Sequence, residues 1–228
     1  MVDGIRERLA DVRKRIEVAA ERSGRPASAV TLVAVSKTMP VEAIREAVAA
    51  GATILGENRV QEARDKIEAL AGAAEWHLIG HLQTNKVKLA VGLFARIHSL
   101  DSIRLAHELE LQAEDAGRRV RCLVQVNVGG EEQKNGASES EVRPLLEAAS
   151  RLPHILVEGL MAIPPFLSDP EAIRPFFRRL RVLRDELARD GFSLPDLSMG
   201  MTHDFEVAIE EGATLVRVGT GIFGPRDA

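Results

Sequence analysis

Residues 32–38 read LVAVSKT, a run of small apolar and β-branched residues that ends on a lysine. A run this short and this rich in valine predicts a buried strand with apolar cover on both faces. Side chains alternate along a strand, so Val33, Val35 and Lys37 share one face while Leu32, Ala34 and Ser36 share the other. Lys37 therefore stands at the mouth of whatever Val33 and Val35 point into, unless it only marks where the strand meets water.

Seven further short apolar runs follow: ATILGEN, WHLIGH, ARIHSLD, VRCLVQVNV, ILVEGLMAI, LPDLSMGM and TLVRVGTG. Helical stretches separate them, at 41–50, 59–72, 83–91, 102–116, 138–150, 171–190 and 204–211. Pro40 suits a first helical turn, Asp169-Pro170 an N-cap followed by proline, and Gly51, Gly117 and Gly212 sit where helices should stop. Pro175 predicts a helix that begins after it or kinks. Before the first strand, Ile5, Leu9, Val12, Ile16 and Val18 or Ala19 recur at helical spacing and predict an extra N-terminal amphipathic helix.

Strict strand–helix alternation implies a parallel sheet, and eight units favour closure into a single (β/α)8 TIM barrel spanning 1–228 over an open doubly wound sheet. Barrel enzymes build their sites from the carboxyl ends of the strands. Those ends carry Lys37, Asn58, His81, Ser99 with Asp101, Asn127, Met161, Ser198 and Gly219-Thr220, and the opposite ends show no comparable polar set.

Composition is that of an ordinary globular protein, 45% hydrophobic and 28% charged, which leaves ample material for such a core. A formal net charge of -4 argues against general affinity for nucleic acid or anionic membrane. The single cysteine, Cys122, lies in an apolar run and reads as a buried structural thiol of a reducing compartment. The amino terminus has no apolar segment of signal-peptide length and no span reaches membrane length, so a soluble cytoplasmic protein is expected.

The string GTGIFG at 219–224 matches the G-x-G-x-x-G of dinucleotide-binding folds but lacks the helix, strand and acidic residue that must follow it. What remains is a glycine-rich loop after strand eight, where barrels commonly hold phosphate, with Thr220 as a hydroxyl donor. LSMGMTHD, after strand seven, adds Ser198, Gly200 and Thr202 before a helix start. Either loop alone reads equally as a turn; together they favour phosphate. Arg217 interrupts an apolar strand and needs an acceptor, either a carboxylate such as Glu158 or a ligand in the barrel mouth. His77 and His81 lie roughly 13 Å apart on a strand, too far to share a metal ion. The basic stretch RPFFRRLRVLRDELARD reads as an outer barrel helix rather than a nucleic-acid helix.

A lysine, a phosphate cup and an arginine suggest a phosphorylated aldehyde, since desolvation frees a lysine amine for Schiff-base formation. Pyridoxal phosphate fits all three groups, and a sugar phosphate on a lysine-dependent aldolase fits two.

LVAVSKT, GENRVQEARDK, WHLIGHLQTNK, VQVNVGGEEQKNG, GLMAIPP, LSMGMTHDFEVAI and VRVGTGIFG resemble, in order and over nearly the whole chain, the pyridoxal phosphate homeostasis protein family. The resemblance implies a barrel of the alanine-racemase N-terminal-domain type that carries pyridoxal 5'-phosphate as an internal aldimine on Lys37. It implies the phosphate near Ser198, Gly219 and Thr220, the pyridine nitrogen against Arg217, Asn58 beside the ring, and Met161 among the cofactor contacts. It also implies a monomer, with apo-enzymes as recipients of the cofactor. The chain departs from the family at Arg59, where tyrosine is frequent, and at Thr202-His203, where serine-aspartate is frequent; Thr202 thus ranks behind Ser198 as a phosphate contact. The related amino-acid racemases resemble two-base enzymes that use a tyrosine from a second domain. This sequence contains no tyrosine and has no residues left for that domain, so a binding and homeostasis role is expected before a racemase or lyase activity.

Overall fold

The computed structural model describes residues 4–131 and 133–225. After an N-terminal helix α1 (Ile5–Arg22) the chain runs β1 (Thr31–Val35), α2 (Val41–Ala49), β2 (Ile54–Glu57), α3 (Val60–Leu70), β3 (Glu75–Leu78) and α4 (Val87–Leu93). It continues with β4 (Arg96–Leu100), α5 (Ile103–Asp115), β5 (Val120–Val126), α6 (Glu139–Ala149), β6 (Ile155–Ala162) and α7 (Pro170–Arg189). The last elements are β7 (Asp196–Met201), α8 (Phe205–Glu210), β8 (Leu215–Val218) and a single helical turn, α9 (Thr220–Phe223). The strands form a closed parallel barrel in the order β1 to β8, with β8 pairing back onto β1.

Alternation sorts the strands as expected. Val33 and Val35 meet Ile79 and Leu215 in a small apolar cluster inside the barrel, while Ala34 belongs to the large core between strands and helices. On α1 the buried positions are Ile5, Leu9, Val12, Ile16, Ala19 and Ala20; Val18 faces solvent, so alanine carries that turn. Helix stops fall at Gly51, Gly117 and Gly212, each at positive φ, where other side chains meet steric cost. Asp169 caps α7, its carboxylate accepting from the Glu171 N–H at 3.0 Å. Pro40 takes the capping position just before α2 rather than its first turn. At Pro175 one of the two expected outcomes is corrected: α7 does not begin after it but starts at Pro170 and runs through it. The long amphipathic face of that helix holds the backbone in place despite one missing N–H, with Ile173, Phe177, Leu180 and Leu187 buried. Its arginines face α8, where Arg174, Arg178 and Arg181 converge on Glu211.

The expectation that the amino-terminal rim carries no comparable polar set is also corrected. Arg96 pairs with Asp196 at 2.7 Å and with Glu158, which in turn receives Arg121 at 2.9 Å. These residues come from β4, β5, β6 and β7, and only closure of the barrel brings them together. Cys122 is fully buried, and burial pushes its thiol up to about 12.

Candidate functional site

A cavity of about 400 Å³ opens at the carboxyl end of the barrel. Its wall brings together five of the seven expected cofactor contacts: Lys37 after β1, Asn58 after β2, Arg217 on β8, and Gly219 and Thr220 beyond it. Gly80, His81, Gln125, Asn135, Thr202, His203 and Asp204 complete the polar part of the lining. Phe166 leans over the mouth, largely exposed, with its ring 5.5 Å from that of His203.

Two of the expected cofactor contacts are not brought to this wall, nor are Ser99, Asp101 and Asn127 of the expected rim. Met161 is fully buried, in register between Gln125 and Ser198 in the barrel interior. Ser198 is fully buried as well, and its hydroxyl is taken: the Arg217 guanidinium donates to it at 2.5 Å, and His98 Nδ1 lies 2.9 Å away. The strand explains the shift. β7 continues to Met201 through a register irregularity, and Gly200 turns at φ 92°, so the rim residue is Thr202 rather than Ser198. Thr202 Oγ1 accepts from the N–H groups of Gly219 at 3.2 Å and Gly221 at 3.3 Å. With both lone pairs engaged, its O–H proton is left to donate toward the cavity. A Cβ at Gly221 would lie 2.9 Å from Val218 and 3.1 Å from Thr202, so this loop closes only around glycine.

Arg217 is fully enclosed, and its hydrogen bonds go to neutral oxygens, Ser198 Oγ and the Ala162 carbonyl at 2.9 Å. Burial lowers the guanidinium to about 10, with Asp204 opposing through space. The carboxylate partner considered in the sequence, Glu158, is engaged by Arg96 and Arg121 at the far rim. A buried cation whose hydrogen bonds among the described residues go to neutral oxygens, on the wall of a cavity, is arranged to receive a ligand acceptor.

Sequence reasoning missed the groups that hold Lys37 from behind. Lys66, on α3, is buried and its ammonium donates to the Ser36 carbonyl at 2.7 Å, to Glu57 at 2.8 Å and to Glu62 at 2.7 Å. The same Glu62 oxygen accepts the Thr38 N–H at 2.5 Å. Both neighbours of Lys37 are thus tied to one buried ion cluster, and Thr38 sits at φ 66°, a conformation that costs about 1–3 kcal/mol outside glycine. Burial raises the Glu57 carboxyl above its ordinary range, against hydrogen bonds from Lys66 and Ser36. The signal was present as a Glu62/Lys66 pair at i, i+4.

Gly80 is where β2 and β3 pack most tightly at the cavity. An added Cβ would stand 2.4 Å from the Asn58 carbonyl oxygen. Gly80→Ala is expected to cost about 1–3 kcal/mol of stability by forcing these ends apart and displacing Asn58; urea denaturation measures it, and a loss below about 0.5 kcal/mol would contradict the close approach.

A closed eight-stranded parallel barrel with a lysine just beyond its first strand defines a class: the family described as alanine racemase, N-terminal domain, matches residues 8–227. The pyridoxal phosphate homeostasis protein of Aquifex aeolicus is 52% identical over 222 residues, covering 96% of this chain and 97% of its own. That of Pseudomonas aeruginosa is 43% identical, covering 98% and 96%. The structure of PipY of Synechococcus elongatus with pyridoxal phosphate bound superposes with a TM-score of 0.83 at 40% identity, covering 96% of this chain and all of PipY. The chain belongs to the pyridoxal phosphate homeostasis protein family.

Proposed function

We propose that this chain holds pyridoxal 5'-phosphate reversibly on Lys37 and serves to buffer or deliver the cofactor in the cell, without sustained turnover of its own. The observation that carries the reading is the convergence on one cavity of the Lys37 amine, the buried Arg217 guanidinium and the Thr202/Gly219/Thr220 loop. PipY, 40% identical to this chain, was solved with the cofactor bound.

The residues fit the group. Lys37 condenses with the aldehyde to a Schiff base, with loss of water. Thr202 and Thr220 offer hydroxyl donors to the phosphate, the Gly219 and Gly221 N–H groups being engaged by Thr202 Oγ1. Asn58 flanks the ring. Ser198 acts behind Arg217 rather than on the phosphate, and Met161 packs beneath the site. A guanidinium has donors only, so Arg217 can bond an unprotonated pyridine nitrogen but cannot share a proton with it. Bound pyridoxal phosphate supplies an electron sink, and an unprotonated ring weakens that sink, which favours carriage over racemase or lyase chemistry. The absence of tyrosine removes the second base expected of related racemases. A cytoplasmic monomer with apo-enzymes as recipients completes the proposal. No helix among the described residues is long and apolar enough to cross a membrane.

Spectral titration of the stripped protein tests this. Pyridoxal phosphate should produce a saturable visible band, and pyridoxal, lacking the phosphate, should bind about 10- to 100-fold more weakly, as expected for one charge-assisted hydrogen bond or more. No band with either would overturn the reading.

A further inference from the structure

The barrel interior holds a line of hydrogen bonds that the binding site does not use directly. It starts at the amino-terminal rim with Glu75, the first residue of β3, whose side chain is partly exposed. Glu75 Oε1 lies 2.8 Å from His77 Nε2; His77 Nδ1 lies 3.0 Å from His98 Nε2; His98 Nδ1 lies 2.9 Å from Ser198 Oγ. Arg217 then donates to Ser198 Oγ at 2.5 Å. His77, His98, Ser198 and Arg217 are all buried. The line therefore joins the far rim of the barrel to the guanidinium on the cavity wall.

We infer that Glu75, His77, His98 and Ser198 form a hydrogen-bond relay of one fixed polarity that makes His77 and His98 positioning residues for Arg217. The two ends set the polarity. Arg217 can only donate and an ionised Glu75 can only accept. Ser198 accepts from Arg217 and gives its own proton to His98 Nδ1. His98 must then carry its proton on Nε2 and donate to His77 Nδ1, and His77 must carry its proton on Nε2 and donate to Glu75. The reverse order leaves the Ser198 proton without an acceptor and points a bare His77 nitrogen at a carboxylate. Buried groups left unpaired in this way are costly.

The electrostatics agree with two neutral rings. Burial holds His98 well below its usual range, with His77, Arg217 and Arg96 adding to the effect. Burial also lowers His77, against the pull of Glu75. The bond from His77 holds the Glu75 carboxyl low and hence ionised. With its proton committed to His98, the Ser198 hydroxyl cannot rotate, and Arg217 is pinned between it and the Ala162 carbonyl. What Arg217 is pinned against, the ring of pyridoxal phosphate, rests on the function proposed above; the relay itself does not.

Long-range ¹H–¹⁵N correlation of the imidazoles in the ligand-free, full-length chain at neutral pH tests the polarity. Both His77 and His98 should be neutral with the proton on Nε2. A proton on Nδ1 of either ring, or an imidazolium, would overturn the relay. Its effect on the site is read by Ser198→Ala and Ser198→Thr. The alanine variant should shift the His98 Nδ1 resonance, displace the visible band and weaken pyridoxal phosphate binding about tenfold, and threonine, which keeps the hydroxyl, should restore all three. A folded Ser198→Ala chain with unchanged band and affinity would overturn the positioning role. A parent chain that takes up no cofactor would instead defeat the proposed function, leaving the tautomer result to stand.

Discussion

Lys66→Met should destabilise the fold by about 3–5 kcal/mol, the cost of leaving a buried carboxylate without its partner. Glu57 is fully buried, and its second oxygen already lacks a hydrogen-bond partner among the described residues. Methionine matches the length of lysine and fills the space, so the loss reports charge rather than packing. The sign of the pH dependence follows from the direction of the shift. Burial raises the folded carboxyl of Glu57 above its unfolded value, and removing Lys66 takes away the strongest group that opposes this. A carboxyl raised in the folded state holds its proton more tightly there, so stability falls as pH climbs through the window above the ordinary carboxylate range. The penalty of Lys66→Met should therefore be full near neutral pH and smallest near about pH 4. Lys66→Met with Glu57→Gln should recover part of it. Urea denaturation at the two pH values decides the matter, and a loss under about 1 kcal/mol at neutral pH would show that the cluster does not hold the Lys37 segment. Release of the Ser36 carbonyl, and of the Glu62 carboxylate that accepts the Thr38 N–H, should also loosen the segment around Lys37 and slow its capture of the cofactor.

Arg217→Met should do the opposite, sparing stability while impairing the site. Holding this guanidinium in full burial lowers it to about 10, which corresponds to a cost on the order of 3 kcal/mol. Methionine removes that cost and loses hydrogen bonds to Ser198 and Ala162, so the net change in stability should lie within about 1 kcal/mol of the parent. Affinity for pyridoxal phosphate should fall at least about tenfold, with a displaced visible band, because an apolar group then faces the ring nitrogen. A variant that loses several kcal/mol of stability while binding as before would make Arg217 a structural residue.

The barrel was legible because its evidence is periodic: short apolar runs separated by helical stretches recur eight times, and each corresponds to a strand. Lys37, Asn58, Arg217, Gly219 and Thr220 were legible for the same reason, since strand alternation and strand ends place them directly. Ser198 was read as a rim residue because nothing in LSMGMTHD reveals that β7 runs on past it through an irregularity at Gly200. Met161 was read so as well, although the wall begins at Ile163. The Arg96–Glu158–Asp196 network and the relay through His77 and His98 join residues 21 to 100 positions apart, and only the closed barrel tells which strands face one another. The Lys66 cluster was hidden differently. Lysine, glutamate and serine on one side of a helix and two strands look like an ordinary solvated edge until α3 covers them.

The most direct test of the account is to incubate the protein with pyridoxal phosphate, reduce it with borohydride and locate the pyridoxyl group by peptide mass spectrometry. The account predicts a single adduct on Lys37, absent from Lys37→Ala. An adduct on another lysine, or none despite a saturable visible band, would contradict it.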